Sequence, residues 1–510
     1  MGAGPSVTAI IVPTPAVTDV TAPGTCTSSR TAEQSRIRRA LLLLKHLLVA
    51  SISVAVVVAL VGYDILGTSA RPSDGMTVGR DLPSTSLDVT WLGVLMMSVV
   101  LYYFGLLALS VIRERKLPKY GVSFMVLVVP AHNEELVIGK TLESLVNLDY
   151  PHFLVLVMND GSVDETSPIA RSFEHTGHVA VVDRSEAVAG RGKGAVLNHA
   201  FELVNEMVAK SDPRLTGHTA DEIVIGIVDA DGQLERNALA RVAPCFVDPR
   251  VGAVQIGVRI ANARDGLIPR LQDLEFIGFS FVVQAARDWI GSVGLGGNGQ
   301  FNRLSALRSL GRPPWTDCLT EDLDIGLSLA GEGWRIRFRR GTFVAQQGLR
   351  SPRLLLRQRT RWVQGNYQCM AHIPKLLRSR KAPLATRLDL CVYLLMVTFV
   401  MVVFTATMLS VLGWLGLLSV SNDALSYIPA GAARNAVLEL VATGPIWAFL
   451  FTYQLNSKTP LRWWEIPAYG AFFCGYAYFG VIFTLRAWTR LLLRRGSWAK
   501  TPRFQAESAV

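Results

Sequence analysis

The stretch Ser123-Phe-Met-Val-Leu-Val-Val-Pro-Ala-His-Asn-Glu-Glu135 joins an unbroken apolar run to a polar turn. An apolar run without alternating polar residues is typical of a strand that is buried on both faces of a parallel sheet. In open α/β sheets, ligands bind at the carboxyl ends of such strands, where this turn lies. The stretch therefore predicts an α/β fold with a binding site at the edge of its sheet.

Further short apolar runs follow the first one, and amphipathic stretches separate them. Strands are predicted at 123–129, 153–158, 179–182, 222–228 and 251–258. Helices are predicted near 135–148, 192–209 and 234–245. This alternation predicts a Rossmann-like, mostly parallel sheet that is covered by helices.

Long apolar runs lie on both sides of this α/β region. Those near 41–63 and 89–112 reach the roughly 20 residues that a membrane crossing needs, although buried core helices are an alternative. Three more runs lie near 388–420, 435–453 and 466–489, which gives five or six crossings in total. Because basic residues flank the runs, the positive-inside rule places the α/β domain in the cytosol.

This pattern divides the chain into six predicted parts, with the cytosolic domain inserted between α-helical transmembrane segments. They are a disordered tail (1–35), two transmembrane helices (36–113), the cytosolic α/β domain (118–350), an interfacial segment (351–386), a C-terminal transmembrane region (387–490) and a basic cytosolic tail (491–510).

The composition supports a membrane protein with a large soluble part. Half of the 510 residues are hydrophobic, 18% are charged and the mean hydropathy is +0.32. The formal net charge is +11, but the basic residues gather beside the apolar runs. No basic stripe is interleaved with aromatic residues, which argues against nucleic-acid binding. The six cysteines are scattered without a CxxC pair, which argues against a disulfide framework or a zinc site.

A second candidate motif, Asn159-Asp160-Gly161-Ser162, follows the predicted strand 153–158. The carboxylate of Asp160 can accept hydrogen bonds from the base of a nucleotide. A turn that is capped by its own Asn or Asp side chain is the structural alternative.

A third motif, Asp229-Ala230-Asp231-Gly232, follows the predicted strand 222–228. Residues two apart in an extended chain point the same way, so Asp229 and Asp231 would face one spot. Two carboxylates suit a hard divalent cation, which would offset the charge of a departing nucleoside diphosphate. A solvated acidic turn is the alternative.

Thr320-Glu321-Asp322 precedes a helix-like stretch at 323–331. One of the two carboxylates can act as the general base that deprotonates an acceptor hydroxyl. Alternatively, Thr320 caps the helix, and acidic residues in a first turn suit the helix dipole.

The last motif, Gln358-Arg-Thr-Arg361-Trp362, places three side chains on one face of a helix. A guanidinium offers forked donors to a pyrophosphate, and an indole can stack on a sugar ring. A basic interfacial helix that is anchored by its Trp is the alternative.

The order of these motifs resembles that of the family 2 glycosyltransferases. Pro-x-x-Asn-Glu is followed by Asn-Asp-Gly-Ser, Gly-Lys-Gly at 192–194, DxD, TED and QxxRW. The resemblance covers about 120–370 and is strongest to the membrane-integrated branch with the cellulose, hyaluronan and poly-N-acetylglucosamine synthases. It implies a GT-A fold, a UDP-sugar donor, Mg²⁺ or Mn²⁺, and inversion at the anomeric carbon.

The resemblance also implies a role for each residue of the motifs. Asp322 would be the catalytic base, beside Glu321. The donor nucleotide would be bound by Ala131, Glu134, Asp160, Lys193, Asp229 and Arg361. The metal would be held by Asp231 and Asp229, and the acceptor would contact Gln358, Trp362, Gly297 and Asn298. A plain loop is the alternative for the glycine-rich segment 296–299.

The expected function is a processive synthase of the plasma (inner) membrane that polymerises a UDP-sugar into an exported β-linked polysaccharide. A single transfer to a membrane lipid acceptor is the alternative. The expected partners are the UDP-sugar, a growing polysaccharide or lipid acceptor, the lipid bilayer, and accessory export or envelope proteins. A membrane-anchored scaffold with a degenerate domain is disfavoured because the DxD, TED and QxxRW motifs are intact.

Overall fold

The computed structural model describes residues 90–114, 117–118, 123–185, 189–414 and 432–493. The predicted tail 1–35, the predicted crossing at 41–63 and most of the basic tail lie outside the described residues.

An eight-stranded mixed sheet forms the centre of the described domain. Its strands are β1 (Phe124–Ala131), β2 (Phe153–Asn159), β3 (Val179–Asp183), β4 (Ile223–Ile227), β5 (Gln233–Leu234), β6 (Val251–Ile260), β7 (Gln300–Arg303) and β8 (Arg335–Gln346). The strand order is β3-β2-β1-β4-β7-β6-β8-β5. Strands β3, β2, β1 and β4 are parallel, as are β6 and β8, whereas β7 is antiparallel to both of its neighbours. The predicted mostly parallel sheet is confirmed.

The packing of strand β1 explains why its sequence is apolar without interruption. Val126 and Val128 pack on one face of the sheet with Val196 of the helix Lys193–Ala209. Met125 and Leu127 pack on the opposite face, beside the helix Ile138–Val146. Both faces of the strand are therefore buried, as expected for the centre of a parallel sheet.

The helices that complete the described chain are numbered in chain order. They are α1 (Thr90–Ser110), α2 (Ile138–Val146), α3 (Thr166–Arg171), α4 (Lys193–Ala209), α5 (Ala238–Val242), α6 (Leu267–Gly278), α7 (Ala285–Ile290), α8 (Leu304–Arg308), α9 (Glu321–Gly331), α10 (Pro352–Cys369), α11 (Ile373–Arg378), α12 (Leu384–Trp414), α13 (Ala432–Asn456) and α14 (Ile466–Leu492). A π-helical segment, Phe279–Gln284, joins α6 to α7.

Helix α6 connects the domain to the C-terminal apolar helices. Leu271 and Leu274 of α6 are buried in a cluster with Leu450 of α13 and Phe473 of α14. Helix α6 also contacts β6, so it joins the sheet to α13 and α14.

Two ion pairs also join α7 to α12 and α10 to α6. The buried Arg287 of α7 donates from Nε to Oδ2 of Asp389 in α12 over 2.9 Å. The buried Arg359 of α10 donates to Oε2 of Glu275 in α6 over 2.6 Å. Because removing one partner would leave a charge buried without its counterpart, these pairs restrict how the helices can pack.

Two of the described helices contain segments that are long and apolar enough to cross a membrane, by length and composition alone. They are Leu384–Met401 and Ile466–Leu492. The predicted total of five or six crossings remains a prediction, because 41–63 and 415–431 lie outside the described residues.

Candidate active site

The turns after β1 and β2 meet at the carboxyl edge of the sheet. The backbone N–H of Asn133 donates to Oγ of Ser162 over 2.9 Å, and the N–H of Val163 donates back to Oδ1 of Asn133 over 2.9 Å. The N–H of Glu134 donates to Oγ1 of Thr166 over 2.7 Å. The parallel register, with Ala131 opposite Asn159, brings the two sequence motifs together.

Asp160 is held at this edge by a residue that the sequence analysis missed. Its N–H donates to the carbonyl oxygen of Ala131 over 2.8 Å. Its carboxylate accepts a hydrogen bond from Nη1 of the buried Arg184, and both carboxylate oxygens lie 3.2 Å from the N–H of Gly190. The sequence could have indicated this role of Arg184, because Arg184 directly follows β3, which pairs in parallel with β2.

Lys193, the first residue of α4, lies among the carboxylates of two motifs. Its Nζ donates to Oδ1 of Asp229 over 2.6 Å and lies 3.7 Å from Oε1 of Glu321. Burial by itself lowers the pKa of Lys193, but Asp229 and then Glu321 outweigh burial and raise it. Lys193 is therefore a cation that balances this acidic group.

Asp322 lies in the same group, and its acidity is strongly altered. Burial raises the pKa of Asp322 to about 7, and the negative charge of Glu321 adds to the rise, while Lys193 opposes it. The N–H of Leu323 donates to Oδ1 of Asp322 over 2.8 Å. A carboxyl group with this pKa can exchange a proton near neutral pH.

The glycine-rich segment 296–299 packs against these carboxylates. A Cβ added to Gly297 would lie only 2.9 Å from Oδ2 of Asp322 and 3.5 Å from Nζ of Lys193. Oδ1 of Asn298 accepts from the N–H of Asp229 over 3.1 Å. The structure therefore brings Gly297, Asn298, Lys193, Asp229 and Asp322 together.

The segment from Asp229 to Gly232 is a turn rather than an extended chain. The N–H of Gly232 donates to the carbonyl oxygen of Asp229 over 2.7 Å. Asp231 is buried, and its Oδ2 accepts from the N–H of Gln347 over 3.0 Å. The expectation that Asp229 and Asp231 face one spot because they lie two apart in an extended strand was wrong, since the chain bends after β4.

Within the described ranges, no group of three or more His, Cys, Asp or Glu side chains is arranged to hold a metal ion. Asp229 and Asp231 are the two carboxylates of the DxD motif that lie at this edge. A bound metal would therefore need further ligands from a substrate or from water.

Helix α10, which carries the QxxRW motif, packs against the segment that leads into α9. A Cβ added to Gly365 would lie 2.5 Å from Oγ1 of Thr320, and the N–H of Leu319 donates to Oε1 of Gln368 over 2.9 Å. The side chain of Thr320 makes no capping hydrogen bond to α9, so the capping alternative is not observed. The contact fixes α10 beside Glu321 and Asp322.

Trp362 contacts α6 as well as its own helix. The guanidinium of Arg359 lies 4.2 Å from the centre of the Trp362 ring, and the ring of Phe276 meets the indole edge to face at 6.3 Å. Gln358 and Arg361 are half-buried on the same helix. Arg359 and its partner Glu275, which the sequence analysis missed, position Trp362 beside α6.

Comparison with known families assigns a class to this domain. Residues 123–365 match the model of a family described as Glycosyltransferase like family 2. The matched range contains all of the motifs around Lys193 and ends within α10. The chain therefore carries a glycosyltransferase family 2 domain.

Curated relatives with different names match about half of this chain. A beta-monoglucosyldiacylglycerol synthase from Nostoc sp. is 34% identical over 252 residues, which cover 49% of this chain and 50% of the relative. A poly-beta-1,6-N-acetyl-D-glucosamine synthase from Staphylococcus epidermidis is 25% identical over 253 residues, which cover 49% of this chain and 55% of the relative. The chain thus spans about half the length of the curated relatives it matches.

Among solved structures, a mannosyltransferase from Pyrobaculum calidifontis in complex with GDP-Man and Mn²⁺ has a similar fold. The TM-score is 0.50 and the identity is 18%, and the match covers 80% of this chain and 98% of that chain. At this identity the similarity concerns the fold, and it supports a GT-A-like architecture.

The two ion pairs that involve β3 and the turn after it should differ in their contribution to stability. Arg184 is 3% exposed beside Asp160, whereas Arg171 is 46% exposed beside Asp183. Arg184→Met leaves a buried carboxylate without its cation, so we expect a loss of about 3–5 kcal/mol in the free energy of unfolding. Arg171→Met, the control, should cost no more than about 1 kcal/mol.

Denaturant unfolding of the purified full chain in a neutral detergent, followed by tryptophan fluorescence, measures both losses. Equal losses in the two variants would contradict the structural role given to Arg184.

Proposed function

We propose that this chain is an inverting glycosyltransferase that moves a sugar from a UDP-sugar to an acceptor at a membrane surface. The observation that carries the proposal is the convergence of Lys193, Asp229, Glu321 and Asp322 against Gly297. This group combines an acid–base carboxylate, a cation and a glycine backbone that lets both lie close to it. These are the parts that transfer from a charged donor to a hydroxyl requires.

Asp322 is the proposed general base. Its pKa of about 7 makes the carboxylate available near neutral pH and basic enough to accept a proton from an acceptor hydroxyl. Gly297 has no side chain, so Oδ2 of Asp322 can lie close against its backbone, where an acceptor hydroxyl is proposed to bind. Attack by this hydroxyl from the side of the sugar opposite the diphosphate would invert the configuration at the anomeric carbon.

The donor diphosphate is proposed to bind beside Lys193. Lys193 opens the helix Lys193–Ala209, and the N-terminus of a helix favours negative charge. Arg361 of α10 is the second proposed cation for the diphosphate. On the other side of the edge, Glu134 and Asp160, the latter held by Arg184, are proposed to bind the uridine.

Asp229 and Asp231 are the proposed ligands of Mg²⁺ or Mn²⁺. Their carboxylate oxygens fit a hard cation whose remaining ligands come from the donor diphosphate and water. When bound, the metal would offset negative charge on the leaving diphosphate. Undiminished transfer in the presence of EDTA would contradict this assignment.

A lipid is the acceptor that the comparisons favour. Over the matched residues, the beta-monoglucosyldiacylglycerol synthases are 31–34% identical to this chain, against 24–25% for the poly-beta-1,6-N-acetyl-D-glucosamine synthases. The domain also packs through α6 against α13 and α14, so an acceptor in a bilayer would lie beside the site. A growing polysaccharide is the second candidate, which the QxxRW motif and Trp362 support.

Sizing the products separates the two acceptors. We would incubate the purified chain with a panel of UDP-sugars in vesicles that contain diacylglycerol, and resolve the products by mass spectrometry. A lipid that carries one sugar supports the first candidate, and a polymer supports the second. Absence of transfer from every UDP-sugar, in protein that is shown to be folded, would contradict the proposed donor.

The pH dependence of transfer should reflect Asp322. Since the base must be deprotonated, kcat/KM should rise with pH through about 7. Glu321→Gln removes a negative charge that raises the pKa of Asp322, so the rise should move to lower pH. Glu332→Gln, beyond the other end of α9, is the control and should leave the profile unchanged. A shift to higher pH in Glu321→Gln would contradict the assignment.

Two adjacent glycines give a test of the close approach at the site. Gly297 has a φ of +77°, and a Cβ there would meet Asp322, so Gly297→Ala should displace the base. We expect transfer to fall about 10- to 100-fold, with little change in UDP affinity. A Cβ on the exposed Gly296 would meet only Oε1 of Gln255, at 3.9 Å, so Gly296→Ala is the control. Equal transfer rates for the two variants would contradict this geometry.

A further inference from the structure

A pocket of about 480 Å³ lies between α9, α11 and the loop that leads into α12. We call it the basic pocket. Five cationic side chains and one carboxylate line it: Arg312, Lys375, Arg378, Arg380, Lys381 and Glu332. None of these residues has a part in the transfer chemistry proposed above.

The charges of the basic pocket are not balanced by the described residues around it. Lys381 forms an ion pair with Glu332, and Arg312 donates to Oγ of Ser328 over 2.9 Å. In the part of the chain that the structure describes, the exposed side chains of the other three cations form no ion pair or hydrogen bond: Lys375, Arg378 and Arg380. Cations that are gathered without a counter-charge create a positive potential that favours an anion.

Exposed apolar side chains lie close to these cations in the sequence. Leu377, Leu384 and Leu388 are exposed, and α12 begins at Leu384, shortly after Lys381. The segment Leu384–Met401 is one of the two that are long and apolar enough to cross a membrane. Cations next to exposed apolar residues at the start of such a helix are typical of the interface between water and lipid.

We propose that the basic pocket binds the phosphate of an anionic lipid headgroup. This inference rests on the membrane association included in the proposed function, but not on the transfer reaction. Lys375, Arg378 and Arg380 supply the counter-charge for the phosphate. Leu377, Leu384 and Leu388 contact the acyl chains, which a free phosphate ion lacks.

Binding to the purified full chain in a neutral detergent tests the proposal. The probes are dihexanoyl phosphatidylglycerol, dihexanoyl phosphatidylcholine and inorganic phosphate, each titrated by calorimetry. We expect phosphatidylglycerol to bind at least about tenfold more tightly than the other two probes. Phosphatidylcholine has the same acyl chains without net charge, and inorganic phosphate has the charge without the chains.

A triple variant, Lys375→Gln with Arg378→Gln and Arg380→Gln, should weaken phosphatidylglycerol binding at least about tenfold, since each cation near an anionic lipid contributes measurably. The matched control removes three other exposed cations of the domain: Lys210→Gln, Arg214→Gln and Arg236→Gln. It should keep the affinity of the wild type.

Glu332→Gln provides a second variant with the opposite expected effect. It removes the carboxylate that lines the pocket and releases Lys381, so phosphatidylglycerol should bind a few-fold more tightly. This gain tests the proposal even if the triple variant does not fold.

Three results would overturn the proposal. Equal losses in the triple variant and its control would show a general effect of charge. Equal binding of phosphatidylglycerol and inorganic phosphate would assign the pocket to free phosphate instead of lipid. Absence of phosphatidylglycerol binding to the wild type would remove the site. Because none of these measurements uses transfer activity, a failure here is distinguishable from a failure of the proposed function.

Discussion

The ion pairs of Lys193 are the interaction on which the described site depends. Lys193 opens α4, Asp229 follows β4 and Glu321 opens α9, so one cation joins three elements that are distant in sequence. Without that cation, the carboxylates of Asp229, Glu321 and Asp322 would face one another with no counter-charge, which is costly in a partly buried place. With it, they can share a small volume beside Gly297.

The same arrangement explains how one cluster can serve both substrates. Burial and the neighbouring Glu321 raise the pKa of Asp322 to about 7, while Lys193 carries a stable positive charge. A group that exchanges protons and a group that stays charged thus lie side by side. Asp322 suits an acceptor hydroxyl and Lys193 suits a diphosphate, which fits the proposed transfer from a UDP-sugar to an acceptor.

Much of the sheet could be predicted from the sequence, because strands that are buried on both faces consist of uninterrupted runs of apolar residues. Strands β1 and β2 are examples. Strand β7 was missed because Gln300 and Asn302 are polar, although both are buried. Arg184 and Arg359 were missed for a different reason: their importance comes from Asp160 and Glu275, partners that only the fold brings near. Motif order therefore indicated the candidate site residues, while their long-range partners required the structure.

The proposed role of Asp322 as the base can be tested by measuring transfer and UDP affinity of Asp322→Asn on the same preparation. We expect transfer to fall roughly 10²- to 10⁴-fold, as expected for loss of a general base, while UDP affinity stays near that of the wild type. Asp317→Asn, an exposed carboxyl nearby in sequence, is the control and should keep full activity. Wild-type transfer by Asp322→Asn would contradict the central claim that this carboxylate is the base.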